Sequence, residues 1–357
     1  VAGVAAVHRS RKRERTATPM QRRATSFDIA ALAGVSQPTV SRALRGSTTV
    51  SEATRARVIE AAASLNYTVD RNASNLRRQS SNTLALLFFE DPTPDDSLIN
   101  PFFLSMLGSI TRTCAAHGYD LLTSFQQLSG NWHTDYEDSR KADGIILLGY
   151  GDWLEFRPRL DALVAQGTHF VLWGSAGQAG PVVGSDNRQG GADAAAHLIA
   201  RGRRRIAFLG TATQHSPEVF ERWRGYADAL GGAGIAVDPA LRVDAATTEE
   251  AGYAAARALL ARGAGFDAIF AASDLIAIGA MRALAEAGRS VPGEVAVVGF
   301  DDLPAASLAN PPLTTVAQDP RAAGRALVET LLAGLGGEAA DGRVLPVRLV
   351  VRGSTGG

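Results

Sequence analysis

From Thr83 onward, apolar runs of strand length alternate with amphipathic segments of helix length. The runs are Leu84–Phe89, Tyr119–Phe125, Gly144–Leu148, Phe170–Trp173, Ile206–Leu209, Ala268–Ala272 and Val295–Phe300. Between them lie helical patterns over 102–117, 188–201, 218–230, 249–262 and 275–287. Strands that are apolar throughout are buried on both faces, and strands separated by helices form parallel sheets covered by helix layers. About 270 residues of this pattern exceed one comfortable sheet, so two doubly wound subdomains are expected. In such sheets ligands bind outside the carboxyl ends of strands, which makes the residues just after each strand the candidates.

The first 82 residues have a different texture. Asp28 to Ala33 reads as a helix with Ile29, Leu32 and Ala33 on one side, ended by Gly34, which reaches the left-handed conformation of a helix C-terminus. Ser36 can cap a second helix, where Pro38 is tolerated because first-turn amides lack intrahelical partners. Val40 and Leu44 face the first helix, leaving Gln37, Pro38, Ser41, Arg42 and Arg45 outward. Such a pair suits a helix-turn-helix that enters a DNA major groove; an ordinary helical hairpin has the same spacing. Ser51 can cap a third helix over 52–65 with a stripe of Val58, Ile59, Ala62 and Leu65. The polar segment from Asp70 to Ser81 reads as a short helix that folds on binding DNA.

Charge separates along the chain in the same way. The net charge is zero, yet residues 1–81 hold 14 Lys/Arg against 5 Asp/Glu, while the remainder holds 22 against 31. The positive charge thus accompanies the helix pair, as phosphate contact requires. Cys114 is the only cysteine, which excludes a disulfide framework and a cysteine-rich zinc site. No apolar run approaches the length of a membrane span, and the apolar residues 1–7 precede the arginines, the wrong order for a secretory signal. A cytoplasmic protein is expected. Residues 1–24 read as a basic arm, either disordered or upstream of a true start near Met20, with the second preferred.

Enzyme chemistry finds little support. Gly149-Tyr150-Gly151 lacks the third glycine of a dinucleotide fingerprint, and neither a nucleophile elbow nor a P-loop is present. His117, His133, His169, His197 and His215 are scattered without metal-ligand spacing. No catalytic residue, metal or cofactor is expected. A transport-type sugar-binding protein would account for the large region but not for the basic helix pair.

Taken in order, the short motifs resemble the lactose-repressor/galactose-repressor (LacI/GalR) family of bacterial transcription regulators. They are Ala33-Gly34-Val35-Ser36 with Thr39-Val40-Ser41-Arg42, Leu65-Asn66-Tyr67, Asn100-Pro101-Phe102-Phe103, Asp143-Gly144-Ile145-Ile146 and Gly184-Ser185-Asp186-Asn187. Arg222-Trp223-Arg224-Gly225-Tyr226, Ser273-Asp274, Gly299-Phe300-Asp301-Asp302 and Pro312-Leu313-Thr314-Thr315 follow. After the basic arm over 1–24, the resemblance, which starts at Thr25, implies a helix-turn-helix domain over 25–70, a hinge over 71–82 and a two-lobed effector domain over 83–357. It also implies an N-lobe of about 83–186 and 318–345 and a C-lobe of about 187–316 and 346–357, similar to periplasmic sugar-binding proteins. The expected partners are a second copy of the chain, a near-palindromic operator, and a small effector, with no membrane.

By the same resemblance Gln37, Pro38 and Arg42 read bases. Arg42 has a physical case of its own, because a guanidinium fork pairs with guanine O6 and N7. The hydroxyls of Thr25, Ser36, Thr39 and Ser41 suit phosphate oxygens; for Thr25, capping onto Asp28 is an equal alternative. Ala73 and Leu76 fall in the hinge, Leu76 as a minor-groove wedge. For the effector the resemblance gathers Phe103, Trp173, Asp186, Arg222, Ser273, Asp274 and Asp301. Aromatic rings against CH faces and charged groups on hydroxyls suit a sugar, and a purine or nucleoside would use the same stacking. Phe103 and Trp173 have a core alternative, and Asp274 an alternative as cap of a helix starting at Leu275.

Overall fold

The computed structural model describes residues 24–44, 46–65, 67, 80–88, 99–125, 131–149, 152–175 and 177–356. It divides into two compact units, Val1–Ser74 and Asn75–Gly357. Arg45, Ala73, Leu76 and most of the expected hinge lie outside the described residues, as do residues 1–23.

The small unit packs α1 (Ser26–Ala33), α2 (Gln37–Leu44) and α3 (Glu52–Ser64) around Ile29, Val40, Val50 and Val58. Helix α1 starts two residues before the expected Asp28 because Thr25 closes a capping box: the Thr25 backbone N–H donates to Asp28 Oδ2 (2.7 Å) and the Asp28 N–H to Thr25 Oγ1 (3.4 Å). Gly34 ends it in the left-handed region at φ 65°. The buried face differs from the expected one. Leu32 is 58% exposed and Ile59 53%, while Ala30, Ala33, Ala43, Ala61 and Ala62 are buried and Leu44 is half-buried. Alanines let three short helices approach closely, so the bulky side chains at the flanks of each stripe stay outside.

The large unit holds two six-stranded sheets. The first runs β11-β5-β4-β3-β1-β2, with β1 (Thr83–Phe88), β2 (Asp120–Phe125), β3 (Gly144–Leu148), β4 (Phe170–Trp173), β5 (Val182–Ser185) and β11 (Arg343–Leu345), all paired parallel. The second runs β12-β10-β9-β8-β6-β7, with β6 (Ile206–Leu209), β7 (Arg242–Val243), β8 (Ala268–Ala271), β9 (Ala296–Asp301), β10 (Thr314–Ala317) and β12 (Arg348–Val350). Among the described residues only β10 against β12 is antiparallel. The first lobe carries α4 (Pro101–Ala116), α5 (Trp153–Ala165) and α11 (Pro320–Leu335); the second carries α6 (Asn187–Ala200), α7 (Pro217–Gly232), α8 (Glu249–Ala261), α9 (Asp274–Glu286) and α10 (Pro304–Leu308). Each lobe has its own apolar core, the larger one centred on Phe208, Phe270 and Phe300. The chain passes between sheets at Asp186, at Gln318–Asp319 and at Pro346–Val347. Those crossovers place the carboxyl ends of the strands of both sheets around one boundary.

Candidate functional site

In the small unit, burial of Val40 and Ala43 turns Pro38 and Arg42, four residues apart, to the exposed side of α2. Among the described residues the Arg42 guanidinium has no hydrogen-bond or ion-pair partner, and it sits in the last helical turn, where a cation is favoured. Gln37 is half-buried and pinned, its Nε2 donating to Ser26 Oγ at 3.3 Å. The hydroxyls of Ser36 and Thr39 bond each other at 2.9 Å, and Ser41 is half-buried. Thr25 gives its hydroxyl to Asp28 at 2.7 Å as well as capping α1. The result, among the described residues, is an open face with the unpaired Arg42 guanidinium and fixed polar groups around it.

In the large unit, Arg222 lies at the lobe boundary with its position set by glycines. A Cβ on Gly191 of α6 would stand 2.0 Å from the Arg222 carbonyl oxygen, and one on Gly225 of α7 would stand 1.9 Å from that of Arg188. The two helices therefore touch backbone to backbone, which holds the guanidinium at the crossover. Arg222 is 2% exposed. Its Nε donates to Asn187 Oδ1 (2.8 Å), its Nη1 donates to the Ala272 carbonyl and lies 3.7 Å from Asp301 Oδ1, and its Cζ stands 3.8 Å over the Phe300 ring. Gln318 Nε2 donates to the same Asp301 oxygen at 2.7 Å. Asp301 ends β9 at φ 114°, a strained value for a residue with a side chain and one often found at functional sites. Burial pushes its carboxyl up to about 6, against the opposing pull of Arg222 and the Gln318 amide.

The remaining expected effector residues divide by what their atoms already hold. Ser273 caps α9 through the Ile276 amide (3.3 Å), so α9 starts at Asp274 and the cap is Ser273 rather than Asp274. Asp274 is fully buried: Oδ2 accepts from the Leu303 amide (2.7 Å) and Oδ1 from the Thr315 hydroxyl (2.5 Å). Burial and then the charge of Asp301 raise its carboxyl well above the usual range. Both of its oxygens serve to brace the ends of β8, β9 and β10. Asp186 caps α6 through the Gln189 amide at 3.0 Å. Phe103 and Trp173 are buried with Phe102 in an apolar cluster that also takes in Leu303 of the second lobe, with Leu275 packed on it. Asp302 bonds Arg352 at 2.6 Å.

Four positions were not singled out as site residues in the sequence. Asn187 and Gln318 sit at crossovers, and Gln318, 5% exposed, has an Oε1 without a partner. Glu218 lies one helical turn before Arg222, buried, its carboxyl raised by burial. The i,i+4 spacing of Glu218 and Arg222 was the available signal. His215, in the second lobe, contacts Asp152, the cap of α5 in the first: Nδ1 to Oδ2 is 2.6 Å, and the Trp153 amide donates to the His215 carbonyl at 2.9 Å. Slight burial raises the Asp152 carboxyl, but bonds from His215 and the Leu154 and Glu155 amides outweigh it and hold it below its ordinary value. Among the described residues no cluster of His, Cys, Asp and Glu is arranged to hold a metal, and no helix is long and apolar enough to cross a membrane.

Comparison with known proteins completes the description. Residues 27–70 match the model of bacterial regulatory proteins of the lacI family, and residues 195–355 that of a periplasmic binding protein-like domain. The HTH-type transcriptional regulator CelR of Thermobifida fusca is 35% identical over 338 residues, 93% of this chain and 96% of that protein. A solved CelR–cellobiose complex superposes with a TM-score of 0.69 at 34% identity, covering 93% of this chain and all of that one. The Lac repressor dimer bound to operator and the anti-inducer ONPF gives a TM-score of 0.82 at 27% identity, covering 93% and 99%.

Proposed function

Since the chain belongs to the LacI family of bacterial transcriptional regulators, we propose that it represses carbohydrate-utilisation genes as a homodimer on a near-palindromic operator, under the control of a sugar held between its lobes. The observation that carries the effector half is the buried group of Arg222, Asp301 and Gln318 at the lobe boundary. A guanidinium donor, a carboxylate acceptor and a spare amide oxygen in a site shielded from water form strong bonds to sugar hydroxyls. Phe103 and Trp173 supply the apolar wall, Glu218 a further acid. Ser273, Asp274 and Asp186 act indirectly, by holding the strand ends and the first crossover.

On the operator, Arg42 pairs with guanine, Gln37 and Pro38 adjust base preference, and Thr25, Ser36, Thr39 and Ser41 position the module on phosphates. The domain limits given above from the resemblance apply, with Ala73 and Leu76 in the hinge. This reading places the protein with its DNA in the cytoplasm. The test is a gel-shift titration with the protein's own promoter and a panel of mono- and disaccharides, cellobiose among them, and nucleosides. One sugar should shift operator affinity reciprocally with its own binding. A response to nucleosides alone, or to no ligand, would refute the sugar assignment.

A further inference from the structure

We propose that the large unit carries a second small-molecule site, for a phosphomonoester or inorganic phosphate, beside the first crossover and apart from the Arg222–Asp301 group. A cavity of about 620 Å³ is walled by the β4–β5 loop, the starts of α6 and β11, and α7, within the size range of small-ligand sites. Arg188, Arg224 and Arg343 line it from three different elements. Each is oriented by a carboxylate. Arg188 Nε and Nη2 reach Asp228 at 2.9 and 2.7 Å, Arg224 Nη1 reaches Glu221 at 2.9 Å, and Arg343 Nη1 reaches Glu329 at 2.9 Å. Asp228 and Glu329 stand outside the lining, so they fix two of the forks from behind. Among the described residues, Nη1 of Arg188 and Nη2 of Arg224 and Arg343 are left to donate.

Two further features point to a ligand. The hydroxyls of Ser175 and Ser185, both lining residues and each 7% exposed, have no hydrogen-bond partner among the described residues. Buried hydroxyls are seldom left unpaired without a ligand or water to complete them. Helix α6 also opens on the cavity through Asn187 and Arg188, and its positive end favours an anion beside the Gln189 amide that Asp186 already caps. The carboxylates of Asp186 and Glu221 line the cavity too and Asp228 and Glu329 stand behind it, so three arginines meet four acids and the attraction rests on the open guanidinium N–H groups rather than on net charge. A neutral sugar would leave the guanidinium N–H groups unused, whereas phosphate oxygens take them as forks. Asn187 both lines the cavity and accepts from Arg222, so the two sites share a residue.

Isothermal titration of the full chain in phosphate-free, low-salt buffer tests this with glucose 6-phosphate, inorganic phosphate and glucose as probes. Both phosphate probes should bind, with affinity falling about tenfold or more in R188Q/R343Q, a surface double variant whose folding is checked by its melting curve. Tighter binding of glucose 6-phosphate than of phosphate identifies an ester site, and equal binding a free-phosphate site. No phosphate-dependent heat at millimolar concentration, or binding that survives in the double variant, overturns the proposal. Because Arg222 is untouched, operator release by a neutral sugar should persist in R188Q/R343Q, which separates this site from the effector reading.

Discussion

Two arginines, one in each unit, show how differently the same side chain is put to use. Arg42 is exposed on a short helix with no side-chain partner among the described residues, while Arg222 is 2% exposed and held by Asn187, Ala272, Asp301 and the Phe300 ring. A reader of a long polymer keeps its donors free, because the polymer brings the acceptors. A small-molecule site must be ordered in advance, and a charge taken out of water survives only with partners already in place. The lesson is that substitutions should separate function from stability at the first residue and merge them at the second.

The sharpest break comes from the backbone contact beneath Arg222. Gly191→Val should lower the stability of the large unit by more than about 3 kcal/mol, since even a Cβ there meets the Arg222 carbonyl; calorimetry would register a lowered main transition. Next, Arg222→Ala should cost about 3–5 kcal/mol by stranding Asp301. Arg42→Ala should change stability by no more than about 0.5 kcal/mol. Chemical denaturation of the two variants side by side is the measurement, and equal losses would erase the contrast.

The pH dependence sharpens it further. A carboxyl raised to about 6 means that the native state holds a proton the unfolded chain releases near 3.8, so stability falls as pH rises through that window. The Asp301 contribution is on the order of 3 kcal/mol. Asp301→Asn should remove this component, so the variant gains on the native protein between pH 4 and pH 6 in urea titrations. Smaller still, Thr25→Ala should cost the small unit about 1 kcal/mol through the lost cap, seen as faster amide exchange in α1. Asp152→Asn, at an exposed interlobe contact, should cost no more than about 1 kcal/mol and loosen effector binding slightly.

Legibility in the sequence followed the same division. The long apolar strands β1, β3, β6, β8 and β9 and the helices between them were visible because burial on both faces writes a continuous pattern. The strands β5, β7, β10, β11 and β12 were not: β7 has two residues, β5 contains Gly184 and Ser185, and β11 and β12 carry exposed arginines at sheet edges. Helix α5, with Pro158 inside it, and α11 also went unread. In the site, Arg222 and Asp301 were reached through the motifs that carry the family resemblance. Asn187 and Gln318 were not singled out, since an amide side chain becomes a site residue only once the crossovers bring strand ends together. Asp274 shows the limit from the other side: an acid after a strand suggests a ligand group, and only the fold reveals that its two oxygens accept from the Leu303 amide and the Thr315 hydroxyl.

The central claim, that an exposed reader and a buried receptor divide the work, is tested most directly by operator binding measured in the presence and absence of the sugar found in the panel, for Arg42→Ala and Arg222→Lys. Arg42→Ala should bind the sugar normally and lose operator affinity by about 1–3 kcal/mol, while Arg222→Lys should bind the operator and ignore the sugar. Full operator affinity in the first variant, or an intact sugar response in the second, would contradict the account.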